Sequence, residues 1–142
     1  MASPKAIVIE IGSIFLKGGY SGESSPRCSI EHGIFLPLQS NLRLHLCELF
    51  HKVFVKHLLT KFKLHNVIIV EKMMVARDLR DMIVSVLLRD FQVPAVSMQP
   101  DLFMSMLSSG CSSGIVVDIG DKASQAICFV NNRPLLHTWR GK

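Results

Sequence analysis

The chain has 142 residues, a formal charge of +5, a pI near 9.2, 49% hydrophobic residues and a mean hydropathy of +0.34. That length closes one modest core, and so high an apolar content implies a surface that meets a partner. No apolar run reaches the ~18–20 residues that cross a bilayer, and Met1-Ala2-Ser3-Pro4-Lys5 leads into a strand without a signal-peptide core. A membrane span is not expected, and the expected location is the cytosol.

In chain order, residues 6 to 11 and 14 to 20 predict two strands of a hairpin, with a third short strand at about 27 to 31. From 42 to about 60 the positions Leu42, Leu46, Leu49, Phe50, Val53, Phe54, His57 and Leu58 recur at three and four, which predicts an amphipathic helix. Residues 67 to 70 predict a buried strand. A second helix over 76 to 89 places Leu79, Met82, Ile83, Val86 and Leu87 on one stripe. A strand over 94 to 98 follows, and Pro100 opens a third helix, where its missing N–H costs nothing, with Gly110 ending it. Strands over 114 to 119, 124 to 130 and 134 to 138 then predict a second meander. Strands alternating with helices in this way argue for an α/β chain with a mixed sheet flanked by helices. One face of the second meander, carrying Ile115, Val117, Ile127 and Phe129, is expected to lack a partner within the chain.

The basic charge does not read as a nucleic-acid footprint. Lys52, Lys56, Lys61 and Lys63 gather around one helix end, while Arg77, Arg80 and Arg89 alternate with Asp78, Asp81 and Asp90. Cations at a helix C-terminus complement its dipole, and an acidic protein partner is the other reading. Cys28, Cys47, Cys111 and Cys128 are scattered without a C-x-x-C pair, as structural thiols are in a reducing compartment. His45, His51 and His57 are six apart, so on a helix each is rotated by about 240° from the last and they cannot converge on one metal. The run Ser108-Ser109-Gly110-Cys111-Ser112-Ser113-Gly114 looks like a phosphate loop but has no P-loop lysine, and reads better as a hinge. Met73, Met74, Met98, Met104 and Met106 read as core filler.

The most informative feature is a repeat. Val8-Ile9-Glu10-Ile11-Gly12-Ser13 and Val116-Val117-Asp118-Ile119-Gly120-Asp121 are each an apolar strand running into an acid, one spacer and a glycine. Such a strand turns sharply and presents backbone amides and a carboxylate at the bend. Asp118 lies 108 residues after Glu10, a spacing that suits one turn in each of two similar lobes gripping nucleotide phosphate.

The stretch Gly12-Ser13-Ile14-Phe15-Leu16-Lys17-Gly18-Gly19-Tyr20-Ser21-Gly22-Glu23-Ser24-Ser25-Pro26-Arg27 resembles the opening hairpin of the actin family almost position for position. The resemblance continues through Phe91-Gln92-Val93-Pro94-Ala95, Leu107-Ser108-Ser109-Gly110 and the second turn, and so covers most of the chain. It implies an actin-like, ribonuclease H-like lobe over residues 1–110 and the first meander of a second lobe over 111–142. Actins are more than twice as long, so the chain reads as a fragment, a short isoform or a product of a reduced gene.

Within the family, Pro26-Arg27-Cys28, Lys56-His57-Leu58-Leu59 and Asn66-Val67-Ile68-Ile69-Val70-Glu71 look most like the members at the pointed end of the dynactin complex. That resemblance implies a cytoplasmic, cytoskeletal, non-catalytic subunit supporting dynein-based microtubule transport. Its implied partners are the dynactin actin-like filament and the pointed-end subunits, with no nucleic acid and no membrane span. The insertion that grips the next filament subunit in actins would lie between Arg27 and Leu42, where this chain is short, as suits a cap.

For the phosphate site, the resemblance implies that Gly12, Ser13 and Lys17 face Asp118, Gly120 and Asp121, with Glu10 and Asp118 holding Mg²⁺ through water. His32, in Ile30-Glu31-His32-Gly33-Ile34, stands either beside the phosphates or in an unrelated loop. Four departures argue against turnover: Glu10 where the family favours Asp, Ile14 and Lys122 where it has glycine, and Asp101 where it has the glutamine that orients water. No cofactor is required on this reading. A nucleotide-binding ATPase lobe that takes Mg-ATP is the alternative, and a truncated non-functional isoform the third.

Overall fold

The computed structural model describes residues 5–34 and 41–142. The lead-in at 1–4 and part of the short connection at 35–40 lie outside the described residues. β1 (Ile7–Ile11), β2 (Phe15–Tyr20) and β3 (Cys28–Glu31) form an antiparallel meander. After α1 (Leu42–His51), β4 (Val67–Glu71) pairs with β1 in parallel; after α2 (Arg77–Ser85), β5 (Val96–Pro100) pairs with β4, also in parallel. The sheet order is β3-β2-β1-β4-β5. α3 (Asp101–Ser108) leads into a second, antiparallel sheet of β6 (Gly114–Ile119), β7 (Ser124–Val130) and β8 (Arg133–Gly141). This is the element order predicted from the sequence.

Period-two alternation decides which face of the first sheet is covered. Ile7, Ile9 and Ile11 of β1 turn to one side with Val67 and Ile69 of β4, and meet Leu46, Leu49, Phe50, Ile83, Val86 and Leu87 from the helices. Val8 and Glu10 turn the other way and are only half-buried. An aromatic cluster closes the helical layer: Phe62 stacks on Phe91 at 4.2 Å between centroids and lies 4.5 Å from Phe54, while Phe50 meets Phe91 edge-on at 6.4 Å. Asn41 starts α1 by accepting from the Leu44 amide at 3.1 Å.

The helices end sooner than predicted, and in the same way. α1 passes into a π-helical turn over Lys52–His57 and α2 into one over Val86–Asp90. The Leu58 amide reaches Val53 at 2.9 Å and the Phe91 amide reaches Val86 at 3.1 Å, after which Leu59 (φ 49°) and Gln92 (φ 55°) turn left-handed. The wide turns keep Val53, Phe54, Val86 and Leu87 inside while the backbone leaves the helical path.

Three expectations are corrected. Pro100 is the last residue of β5 rather than the first turn of a helix: its ψ of 136° is extended, and α3 starts at Asp101. The strand predicted over 94 to 98 sits two residues later, and β8 runs on to Gly141. The apolar face of the second sheet was also assigned wrongly. Gly114 pairs with Phe129 and Val116 with Ile127, so odd positions on β6 share a face with even positions on β7. Ile127 and Phe129 are thus buried against Leu102 and Met106 of α3, while Ile115 and Val117 face away, 70% and 60% exposed.

Leu59 pays for a left-handed backbone with a side chain that is 80% exposed and so gains little from burial. Leu59→Gly is expected to raise stability by about 0.5–1 kcal/mol, the left-handed penalty less the extra entropy of an unfolded glycine. Urea unfolding checks this; a loss of stability would mean that Leu59 packs on something that repays its strain.

Candidate functional site

Three parallel strands end on one edge of the first sheet, and the residue after each end is Gly12, Lys72 or Asp101. The carboxyl edge of parallel strands is where open α/β sheets place their ligands. α3 then carries the chain to β6, whose own end brings Asp118, Gly120 and Asp121 back towards that edge.

The two repeated turns share one geometry. The Gly12 amide donates to the Phe15 carbonyl at 3.0 Å, and the Gly120 amide donates to the Ala123 carbonyl at 3.0 Å. A Cβ on Gly12 would lie 3.0 Å from the Phe15 oxygen, and one on Gly120 2.9 Å from the Ala123 oxygen, so close approach selects glycine at both bends. These two amides are therefore spent in closing their own turns.

Each turn's acid also has a lysine. Glu10 and Lys17 are cross-strand partners with carboxylate and ammonium 3.5 Å apart, both half exposed. Asp118 is ion-paired with Lys72, and the same ammonium lies 3.1 Å from an Asp101 oxygen. Asp101 is held further by the Gln125 side-chain amide, which donates at 2.8 Å, and by the Leu102 amide at 2.8 Å. Burial works against the charged form of Lys72, but its hydrogen bonds to Asp118 and Asp101 outweigh it and raise its pKa. Burial likewise pushes the Asp101 carboxyl up, and Lys72 draws it only part of the way back.

The remaining predicted groups gather where the two turns meet. Ser13, Ile14, His32, Asp121 and Lys122 line a common cleft of about 200 Å³. Small-molecule sites usually enclose roughly 300–1,000 Å³, so this cleft is small for a nucleotide. Ile14 and Lys122 are part of its wall. Glu10 and Lys17 instead line a separate cavity of about 400 Å³ beneath the 18–26 segment of the hairpin. The two acids assigned to Mg²⁺ thus contact different ammonium groups, and the space between Asp118 and Asp101 does not suit a divalent cation while Lys72 holds an oxygen of each. Among the described residues no cluster of three or more His, Cys, Asp or Glu side chains is arranged for a metal.

His32 lines the common cleft beside the first turn. Its Nε2–H donates to the Gly12 carbonyl at 2.9 Å, and its Nδ1 accepts from the Ile34 amide at 3.2 Å, which fixes a neutral ring. Burial pushes its pKa below the ordinary 6.5; the Gly12 bond opposes this, and the nearby charges of His45 and Lys122 add to it.

A model of the Actin family matches residues 45–140. The chain belongs to the actin family. Actin-related protein 10 of Dictyostelium discoideum is 30% identical over 133 residues, covering 68% of this chain and 28% of that relative. The chain thus matches a little over a quarter of the length of this actin-family relative. The matched family region takes in Lys72, Asp101, Asp118 and the second turn; the first turn precedes it.

Lys72 is the residue that sequence reasoning passed over. Its signal was positional: a lysine directly after a buried parallel strand stands at the sheet's ligand edge by topology alone.

Because the folded pKa of His32 lies below 6.5, the unfolded chain takes the proton first as pH falls. Its contribution is present above 6.5 and is lost as pH drops through the folded value, since a protonated Nδ1 cannot accept from Ile34. Relative to His32→Gln, the parent chain is expected to lose stability faster below pH 6.5. Urea unfolding at pH 5 to 8 checks this, and parallel pH profiles would overturn it.

Proposed function

We propose that this chain is a non-catalytic, actin-related structural subunit of a dynactin-type assembly. It acts at the pointed end of an actin-like filament, in the cytoplasmic cytoskeleton, in support of dynein-based transport along microtubules. The observation that carries this reading is the similarity to actin-related protein 10, together with the sequence resemblance to pointed-end members.

The site supports the non-catalytic part. Both turn glycines spend their amides internally, both turn acids are paired with lysines, and Asp101 stands where the family places a neutral water-positioning glutamine. A carboxylate there would repel a triphosphate instead of orienting a nucleophile. The short segment between β3 and α1 supports the capping part, since a subunit without a gripping loop holds no further neighbour. The exposed stripe of Ile115, Val117 and Ile119 on β6 supplies an apolar surface for association.

The reading that competes with it is an Mg-ATP-binding lobe, which the common cleft of the two turns favours. A ligand at a hundred times its Kd would stabilise the chain by about 2.7 kcal/mol, so thermal unfolding with millimolar Mg-ATP separates the two. No shift is expected, and a shift of that size would establish the nucleotide reading. In parallel, native purification of the tagged chain from its own cells is expected to recover the dynactin filament and pointed-end subunits. Recovery of chaperones alone would overturn the structural reading.

A further inference from the structure

We propose that Lys72 is the resident cation at the junction of the two sheets. Its ammonium occupies the place between Asp101 and Asp118 that a divalent metal would need, so the chain itself supplies part of the positive charge that this acidic edge calls for. The inference does not depend on the partner assembly proposed above; it concerns what holds the two acids together.

Topology brings the three groups together. Lys72 leaves the end of β4, Asp101 begins α3 after β5, and Asp118 lies near the end of β6 in the other sheet. One ammonium meets both carboxylates, at 3.1 Å for Asp101 and in a closer pair with Asp118. All three side chains are at least half-buried, so water screens the contact only in part. The second turn closes over the same spot: a Cβ on Gly120 would lie 3.8 Å from the Lys72 nitrogen.

The donor set completes the argument. One Asp101 oxygen accepts from Lys72 and from Gln125, and the other from the Leu102 amide. A Mg²⁺ or Mn²⁺ ion requires near-octahedral oxygen ligands, most of them water, and cannot share this space with an ammonium. Two carboxylates facing one lysine leave a net negative charge, so loss of the lysine alone would leave the acids in like-charge repulsion. That repulsion is what a divalent cation relieves. Lys72 therefore does two things: it bridges the sheets, and it keeps metal from between the two acids.

The test uses the 142-residue chain with MnCl₂ and no nucleotide, read by the loss of the free Mn²⁺ paramagnetic signal. The parent chain and Lys72→Arg, which keeps the charge, are expected to bind weakly or not at all. Lys72→Met, which keeps most of the apolar stem, is expected to bind at least about tenfold more tightly, as removal of a like charge beside the ion predicts. Adding Asp118→Asn to Lys72→Met should abolish the gain, which places the ion at this site. Equal Mn²⁺ affinity in the parent and in Lys72→Met would overturn the proposal, as would a gain that survives Asp118→Asn. If Lys72→Met fails to fold, the proposal expects Lys72→Met/Asp118→Asn to recover cooperative unfolding, because the defect is then uncompensated acid. Failure of that double variant to recover would also overturn it.

Discussion

The parallel pairing of β1, β4 and β5 is the constraint on which the rest of the site depends. Parallel strands end on one edge, so three segments far apart in sequence must deliver their next residues side by side. That edge carries no apolar requirement, because the covered face is set by Ile7, Ile9, Val67 and Ile69, and of the residues beyond the strand ends only Gly12 is dictated by its turn. In this chain they are a glycine, a lysine and an aspartate. The core dictates that something meets there, and chemistry decides what it does.

The first sheet and its helices were legible because their signals are redundant. Apolar spacing at three and four in the helices, and apolar runs ending at an acid and a glycine in the strands, point to one arrangement. Where only one signal operates, reading from sequence failed. Nothing local distinguishes Pro100 as a strand end from Pro100 as a first helical turn, since both tolerate its fixed φ and missing donor. The faces of the second sheet failed for a different reason. Side-chain parity is readable within β6 and within β7, but the register between them depends on how the turn at 120–123 closes, and one residue there swaps every pairing. The site followed the same pattern. The two glycine turns were legible as a local repeat, whereas the pairing of Asp118 with Lys72 joins residues that only sheet order brings together.

The backbone of the two turns and the side chains around them answer to different constraints. Gly12 and Gly120 serve the hairpins themselves, through amides that close the turns and through the absence of a Cβ. Their presence follows from folding alone, whatever the cleft binds. The side chains around the glycines are set by other contacts: Ile14 and Lys122 line the cleft wall, and Asp101 is held by Lys72, Gln125 and the Leu102 amide.

The two lysines are not equivalent in consequence. Lys17 and Glu10 lie on adjacent strands of one hairpin, are half exposed and sit 3.5 Å apart, so their pair contributes at most about 1 kcal/mol and constrains nothing the hairpin does not already fix. Lys72 joins residues from two sheets, is better shielded, and serves two carboxylates whose alternative is mutual repulsion. The repeat in the sequence thus conceals an asymmetry in the fold. The first turn is neutralised from within its own hairpin and would persist if the second sheet were elsewhere. Asp118 of the second turn is paired instead with Lys72, which follows β4 of the first sheet, so its charge balance depends on where the second sheet sits.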